Sequence, residues 1–370
     1  MTEADVAVAT RLVLALSFAI GLAFGALAQR VRFCTMGAIA DLAVTGDASR
    51  IWMWAIAAGT AIVGFNAMVW LGWVQAADSV YAGSRFTWLS AATGGLVFGV
   101  GMVLASGCTS KNLLRAGAGS LKAVVVLLVV SLAGFATLKG ITAVVRVNTV
   151  DAVSWSLAGG QDLPSLLGSF GGVAPRGIAG FIALAIGIAV LAATAGALRR
   201  HDTEQVVGGI GIGALVVTAW WVSGVIGHVA EHPATLEPAF LATSSRRMES
   251  LSFVAAVSYS MDYLLFFSDT SKALTIGIVS AVGLVVGSVL YAIGSRTFRW
   301  EGFANVADLR NHLLGGVLMG IGGVTSLGCT VGQGLSGVST LSAGSGLAVV
   351  SMIAGAYATL KVTMWLSETD

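Results

Sequence analysis

Nine apolar stretches, each about long enough to cross a bilayer, run almost end to end through the 370 residues and leave little chain between them. They lie at about 8–29, 50–74, 89–106, 120–145, 177–198, 206–227, 271–294, 311–327 and 343–366. In hydrocarbon every backbone N–H and C=O must be satisfied within its own segment, so runs of this kind fold as helices. The fold class expected is an all-α integral membrane protein of about nine transmembrane helices. Charged residues make up 10% of the chain against roughly 25% in soluble domains, which excludes a water-soluble enzyme. A net charge of +2 excludes the basic field that nucleic-acid binding needs, so no nucleic acid is expected as a partner. The acidic start, MTEADVAVATR, lacks a basic n-region and a small-residue cleavage site, and is read as leading into a first membrane helix.

Shorter segments at 32–46, 108–118, 250–267 and 329–340 are apolar or small-residue rich but too short to span. Re-entrant helices shielded by protein or a water-filled cavity are expected there. Glycine is abundant, 49 residues against four prolines, and pairs at i,i+4 within the apolar runs: Gly21/Gly25, Gly95/Gly99, Gly283/Gly287 and Gly316/Gly320. Such pairs let helices pack backbone to backbone. Trp52 and Trp54 at one end of the second span, and Trp70 and Trp73 at the other, are expected as interfacial anchors. With the N-terminus outside, the inner loops and helix ends hold eleven basic residues, Arg199 and Arg200 among them, against seven on the outer side, which favours N-out and C-in.

The chain repeats itself. GGLVFGVGMVLASGCT from Gly94 lies over GGVLMGIGGVTSLGCT from Gly315 without a gap, and ATLK ending at Lys139 over ATLK ending at Lys361. Five crossings separate the third span from the eighth, so the copies run in opposite directions. Two inverted repeats, about 8–145 and 206–366, joined by helix 177–198, are expected, with a substrate path at their interface. RFCTMGAIADL and LSFVAAVSYSMD form a weaker second pair in which the cysteine has no counterpart.

All three cysteines precede a threonine at the start of a short segment: Cys34-Thr35, Cys108-Thr109 and Cys329-Thr330. An odd number of thiols suits no disulfide framework, and four scattered histidines suit no metal site, so neither metal nor cofactor is expected. Glycine before Cys108 and Cys329 allows a sharp turn, and the Thr109 and Thr330 hydroxyls are placed to cap the helices that follow. Unpaired N–H groups there attract an anion. One helical turn on, Asn112 and Gln333 bring an amide donor to the same face as each thiol. Arg115, seven residues after Cys108, shares that face and is a candidate for drawing the anion inwards, or for snorkelling; Lys139 and Lys361 are expected to snorkel. An isolated membrane cysteine is mostly packing, but repetition in one motif argues for a role. His228-Val-Ala-Glu231-His232 has the spacing of a zinc-protease motif, which Pro233 disqualifies as continuous helix.

At 32–42, 106–120, 251–266 and 327–345 the sequence resembles the YeeE/YedE sulfur-transport family, in particular its bacterial thiosulfate-uptake members. The resemblance covers nearly the whole chain. It implies an hourglass-shaped bacterial inner-membrane protein of pseudo-twofold inverted repeats, in which Cys329, Cys108 and Cys34 pass thiosulfate by S–H···S contacts. It also implies a small soluble sulfurtransferase of the TusA type as a cytoplasmic partner. The extra polar stretches 146–175 and 228–250 have no assigned match. Two alternatives stay open: carriage of another sulfur or selenium species, and a membrane-embedded sulfurtransferase that forms a persulfide on Cys108.

Overall fold

The computed structural model describes residues 2–369 except 158, 173, 199–202, 234 and 270–271, so the predicted contribution of Arg199 and Arg200 to the charge asymmetry lies outside the described residues. Among the described residues the regular structure is helical apart from two short antiparallel ribbons, Arg85–Phe86 with Trp155–Ser156 and His228–Val229 with Ala239–Phe240. The helices are α1 (Glu3–Arg30), α2 (Thr35–Val44), α3 (Ser49–Leu71), α4 (Trp88–Leu104), α5 (Thr109–Gly117), α6 (Leu121–Lys139) and α7 (Ile141–Asn148). They continue as α8 (Leu163–Gly171), α9 (Pro175–Leu198), α10 (Thr203–Trp221), α11 (Phe253–Leu265), α12 (Ile276–Gly294), α13 (Val306–Thr325) and α14 (Ala343–Thr369). π-Helical turns follow α10 at Val222–Ile226 and precede α14 at Gly332–Gly337.

Each predicted crossing has its helix. The run 120–145 is broken at Gly140, whose N–H closes α6 on the Ala136 carbonyl before α7 sets off. Seven helical stretches among the described residues are long and apolar enough to cross a membrane, two of them counted with the short helix that follows. α13 is not one of the seven, because Asp308, Arg310, Asn311 and His312 make its first turns polar, and α9 qualifies only as a shorter apolar helix over Pro175–Val190.

Glycines set the packing. A Cβ added at Gly25 would sit 2.1 Å from the Leu284 carbonyl oxygen, and at Gly99 2.2 Å from that of Met352, so backbones touch at these crossings. The partners also reveal direction. Gly21 and Gly25 meet Ser280 and Leu284, so α1 and α12 run parallel; Gly209 and Gly213 meet Met53 and Ala57, so α10 and α3 do too. α4 runs parallel to α14 (Gly95 on Ala348, Gly99 on Met352) and α13 to α6 (Gly316 on Val126, Gly320 on Val130). α4 and α13 are antiparallel, since Gly94 meets Ser326 and Gly101 meets Met319; so are α3 and α9. All six directions are those of a chain that reverses at each of the nine long helices among the described residues. The four predicted i,i+4 pairs all lie at these contacts.

The α4–α13 contact leaves no room for a side chain either. Gly101→Val would drive a branched side chain into Met319 N and Gly315 O, 2.7 and 2.8 Å from its first carbon. It is expected to lower the thermal midpoint in detergent by the equivalent of about 3 kcal/mol or more. Gly346→Val, with no neighbour within 4 Å, is the control that stays unchanged.

Candidate functional site

The three cysteines follow one backbone device. α1, α4 and α13 each end in a Schellman turn, closed by the N–H of Phe33 on Ala28 O (2.9 Å), Gly107 on Met102 O (2.8 Å) and Gly328 on Gly323 O (2.8 Å). The residue before each donor is left-handed: Arg32 at φ 54°, Ser106 at 55° and Leu327 at 60°. This corrects the expected use of glycine. The left-handed position is filled by residues with a Cβ, at a cost of about 1 kcal/mol each, and the glycine comes one residue later. Gly107 has φ 155°, where side chains are disfavoured, and Gly328 has Gln333 within 3.3 Å of where a Cβ would stand.

The cysteine next in line is the N-cap. Its carbonyl accepts the first helical N–H, from Ala38, Asn112 and Gln333 for Cys34, Cys108 and Cys329. Thr109 and Thr330 are therefore not the caps expected; each stands one residue inside its helix with its Oγ1 buried and unpartnered. The Cys34 sulfur accepts from Gly37 N–H at 3.3 Å, and the Cys108 sulfur lies 3.2 Å from Ser110 Oγ. The N–H groups of Gly332, Phe253 and Val331 face the Cys329 sulfur. Cys108 is 1% and Cys329 0% exposed. Cys108 lies within electrostatic range of both Cys34 and Cys329, which makes it the middle of the three. Thr35 and Thr330 border one cavity of about 10 Å³ with Met102 and Met352, at the lower limit of what holds a water.

The amide donors are not free. Asn112 Nδ2 donates to Gly107 O (2.9 Å) and Cys108 O (3.2 Å), and Gln333 Nε2 donates to Ser326 O, so both amides tie a short helix to the turn before it. Their oxygens, Asn112 Oδ1 and Gln333 Oε1, are the buried atoms left without partners. Arg115 pairs with Glu301 at 3.5 Å and donates to Ser106 O at 3.5 Å, so its charge is already countered. Lys139 has a partner: its Nζ lies 2.6 Å from Asp262, a carboxylate that it shares with Lys272. Trp54 is engaged within the protein. It donates to Thr35 Oγ1 at 3.0 Å and covers Gly334, wedging the start of α2 against the π-turn before α14. His228 sits in a ribbon and stacks on Phe240, and no metal-ligating cluster is found among the described residues.

Lys111 was not singled out from the sequence. Half-buried with its stem against Gly107, it lies within electrostatic range of Cys34, Cys108, Arg50 and Arg115. Its position three residues after Cys108, on the same face of α5, was the available signal. Beyond Cys329 the extra polar stretches build a vestibule. Cavities of about 220 and 330 Å³ share Val80, Arg146, Val324 and Leu327 as walls. Leu327, 52% exposed, also borders a pocket of about 20 Å³ that reaches Ser326 and Gln333. Arg146 pairs with Asp151 at 3.0 Å, and Arg247 donates to the carbonyls of Ala77 and Ser79. Burial holds the Glu249 carboxyl above the usual carboxylate range.

The family model described as sulphur transport matches residues 30–358. The thiosulfate transporter TsuA of Escherichia coli K12 is 25% identical over 354 residues, covering 91% of this chain and 91% of its own length. The thiosulfate transporter TsuA of Spirochaeta thermophila is 26% identical over 274 residues, 71% of this chain and 74% of its own.

Proposed function

The chain belongs to the sulphur transport family, a multi-pass membrane transporter rather than an enzyme, and on that footing we propose that it takes up thiosulfate past Cys329, Cys108 and Cys34 in that order. The recurrence of one turn carries this proposal: three thiols stand at the same place in the same backbone device, the middle one in range of the other two. Two relatives of matching length named as thiosulfate transporters support the choice of ion.

Thiosulfate is a dianion with one soft sulfur and three hard oxygens. A neutral thiol donates to that sulfur weakly, so the ion is held without being trapped. N–H groups stand at the Cys34 and Cys329 thiols and the Ser110 hydroxyl at Cys108, and the spare hydroxyls of Thr109 and Thr330 are suited to the oxygens. Asn112 and Gln333 act as positioning residues that hold the turns, and Lys111 sets the potential below Cys108. The halves 8–145 and 206–366, joined by the helix over 177–198, are read as inverted copies. Support comes from packing that an exchange of halves leaves in place: α4 on α14 as α13 on α6, α1 on α12 as α10 on α3, and α11 on α12 as α2 on α3. We place the N-terminus outside the bacterial inner membrane and the C-terminus in the cytoplasm, where a small TusA-like sulfurtransferase receives the ion.

Purified protein in liposomes is expected to accumulate labelled thiosulfate, with sulfite and selenite competing poorly; accumulation of another sulfur or selenium species instead would replace the substrate. A persulfide on Cys108, seen as added sulfur by intact mass after incubation, would replace the relay with a sulfurtransferase. In oriented vesicles a membrane-impermeant methanethiosulfonate is expected to reach Cys329 from outside and Cys34 from inside. Labelling with the sides exchanged would invert the orientation.

A further inference from the structure

Cys34 has a counterpart in the other half, and it is a serine. α11 starts at its N-cap Ser252 with φ −150° and ψ 128°, and α2 starts at its N-cap Cys34 with φ −158° and ψ 120°. The two short helices also keep matching company: α2 packs on α3 and α14, α11 on α12 and α6. A serine at an N-cap ordinarily accepts an N–H from the first turn, as Asp162, Thr275 and Asn305 do at their helices here. Ser252 does not. Its Oγ is shielded from solvent, makes no well-formed hydrogen bond and has the Tyr81 hydroxyl as neighbour.

The surroundings aim that hydroxyl at the route. Ser252 and Tyr81 both line the vestibule cavity of about 220 Å³. A Cβ at Gly332, three residues after Cys329, would fall 2.5 Å from Ser252 Oγ and 3.2 Å from Tyr81 Oη, so both oxygens lie over the first turn behind that thiol. The N–H of Phe253, next to Ser252, faces the Cys329 sulfur itself.

We propose that Ser252, with Tyr81 beside it, receives the sulfonate end of the incoming ion and so presents the terminal sulfur to Cys329. The assignment rests on thiosulfate being the cargo. Hydroxyls are hard donors suited to sulfonate oxygens, whereas thiols are soft donors suited to the terminal sulfur, so the outermost of four N-cap positions differs from the inner three in the atom it grips. Sulfate, which has the oxygens and lacks the soft sulfur, then enters this site but is not handed on. It is an inhibitor and not a substrate.

The test uses full-length protein, wild type and Ser252→Ala, with labelled thiosulfate uptake in liposomes and sulfate binding measured by calorimetry in detergent. Ser252→Ala is expected to raise the half-saturating thiosulfate concentration about tenfold, as loss of one hydrogen bond to a charged group does, with the maximal rate within about twofold. Sulfate affinity and inhibition fall by the same factor. Tyr81→Phe, which keeps the ring and the backbone carbonyl that accepts from Ser342, gives a smaller loss of the same kind. Should Ser252→Ala prove unstable, Ser252→Cys and Tyr81→Phe decide by the same readouts. Unchanged sulfate affinity in the variants overturns the assignment. Wild type that binds sulfate through Ser252 yet carries no thiosulfate overturns the transport proposal and leaves Ser252 only as an oxyanion site.

Discussion

Cys108→Ala protein is expected to insert and fold as wild type does and to carry no measurable thiosulfate. Cys108 is the middle thiol, 1% exposed, with Ser110 Oγ 3.2 Å from its sulfur. Removing one sulfur from a junction of small residues costs about 1 kcal/mol of packing, little against the stability of the bundle. The cost to transport is of another kind. An ion leaving Cys329 would meet a methyl group where it needs a donor, with Cys34 still a station away, and uptake should fall at least ~100-fold, as for a barrier raised by about 3 kcal/mol. Uptake in liposomes beside the thermal midpoint in detergent checks both halves of the expectation. Normal uptake by a well-folded Cys108→Ala protein would end the relay.

Asn112→Asp is expected to be far more damaging than Asn112→Ala, through the fold. The amide donates to two carbonyls, Gly107 O and Cys108 O, from a fully buried position, and its own oxygen is unpartnered. Aspartate would set a carboxylate against both carbonyls with no hydrogen bond to recover the desolvation, at about 3–5 kcal/mol. Alanine leaves Gly107 O without its donor and costs about 1–3 kcal/mol. Recovery of monodisperse protein and its thermal midpoint should therefore fall in the order wild type, Asn112→Ala, Asn112→Asp. Equal stability of the two variants would show that the amide does not hold the turn.

The spans, the glycine contacts and the three Cys-Thr junctions were legible in the sequence because each has a local signature: apolar length, i,i+4 spacing, a repeated tripeptide. The left-handed positions were not, because Arg32, Ser106 and Leu327 are held there by the Schellman bonds against their own preference. The amides were misjudged for a related reason. Spacing places Asn112 on the face of Cys108 but does not say that the turn carbonyls are nearer to it than any ion. Arg115 looked like a free charge because Glu301 lies 186 residues away in sequence, and Lys139 likewise meets Asp262 across 123 residues. Ser252 was hidden by chemistry, since a search for a matching cysteine passes over the hydroxyl that takes its place.

Contacts between the halves bear on how a turnover is driven. α1 lies on α12, α3 on α10, α4 on α14 and α6 on α13, so every one of these pairs crosses from one half to the other with backbones touching at glycine. Rocking one half against the other would have to part all four pairs at once, and backbone contacts of this kind have no flexible side chain to yield. Contacts of this kind suit a small working motion, confined to the short helices and to side chains such as Leu327 that border the route. A machine of that type spends little on rearrangement per ion, and its rate should respond weakly to bilayer thickness and stiffness, which tax carriers that move whole domains through the lipid.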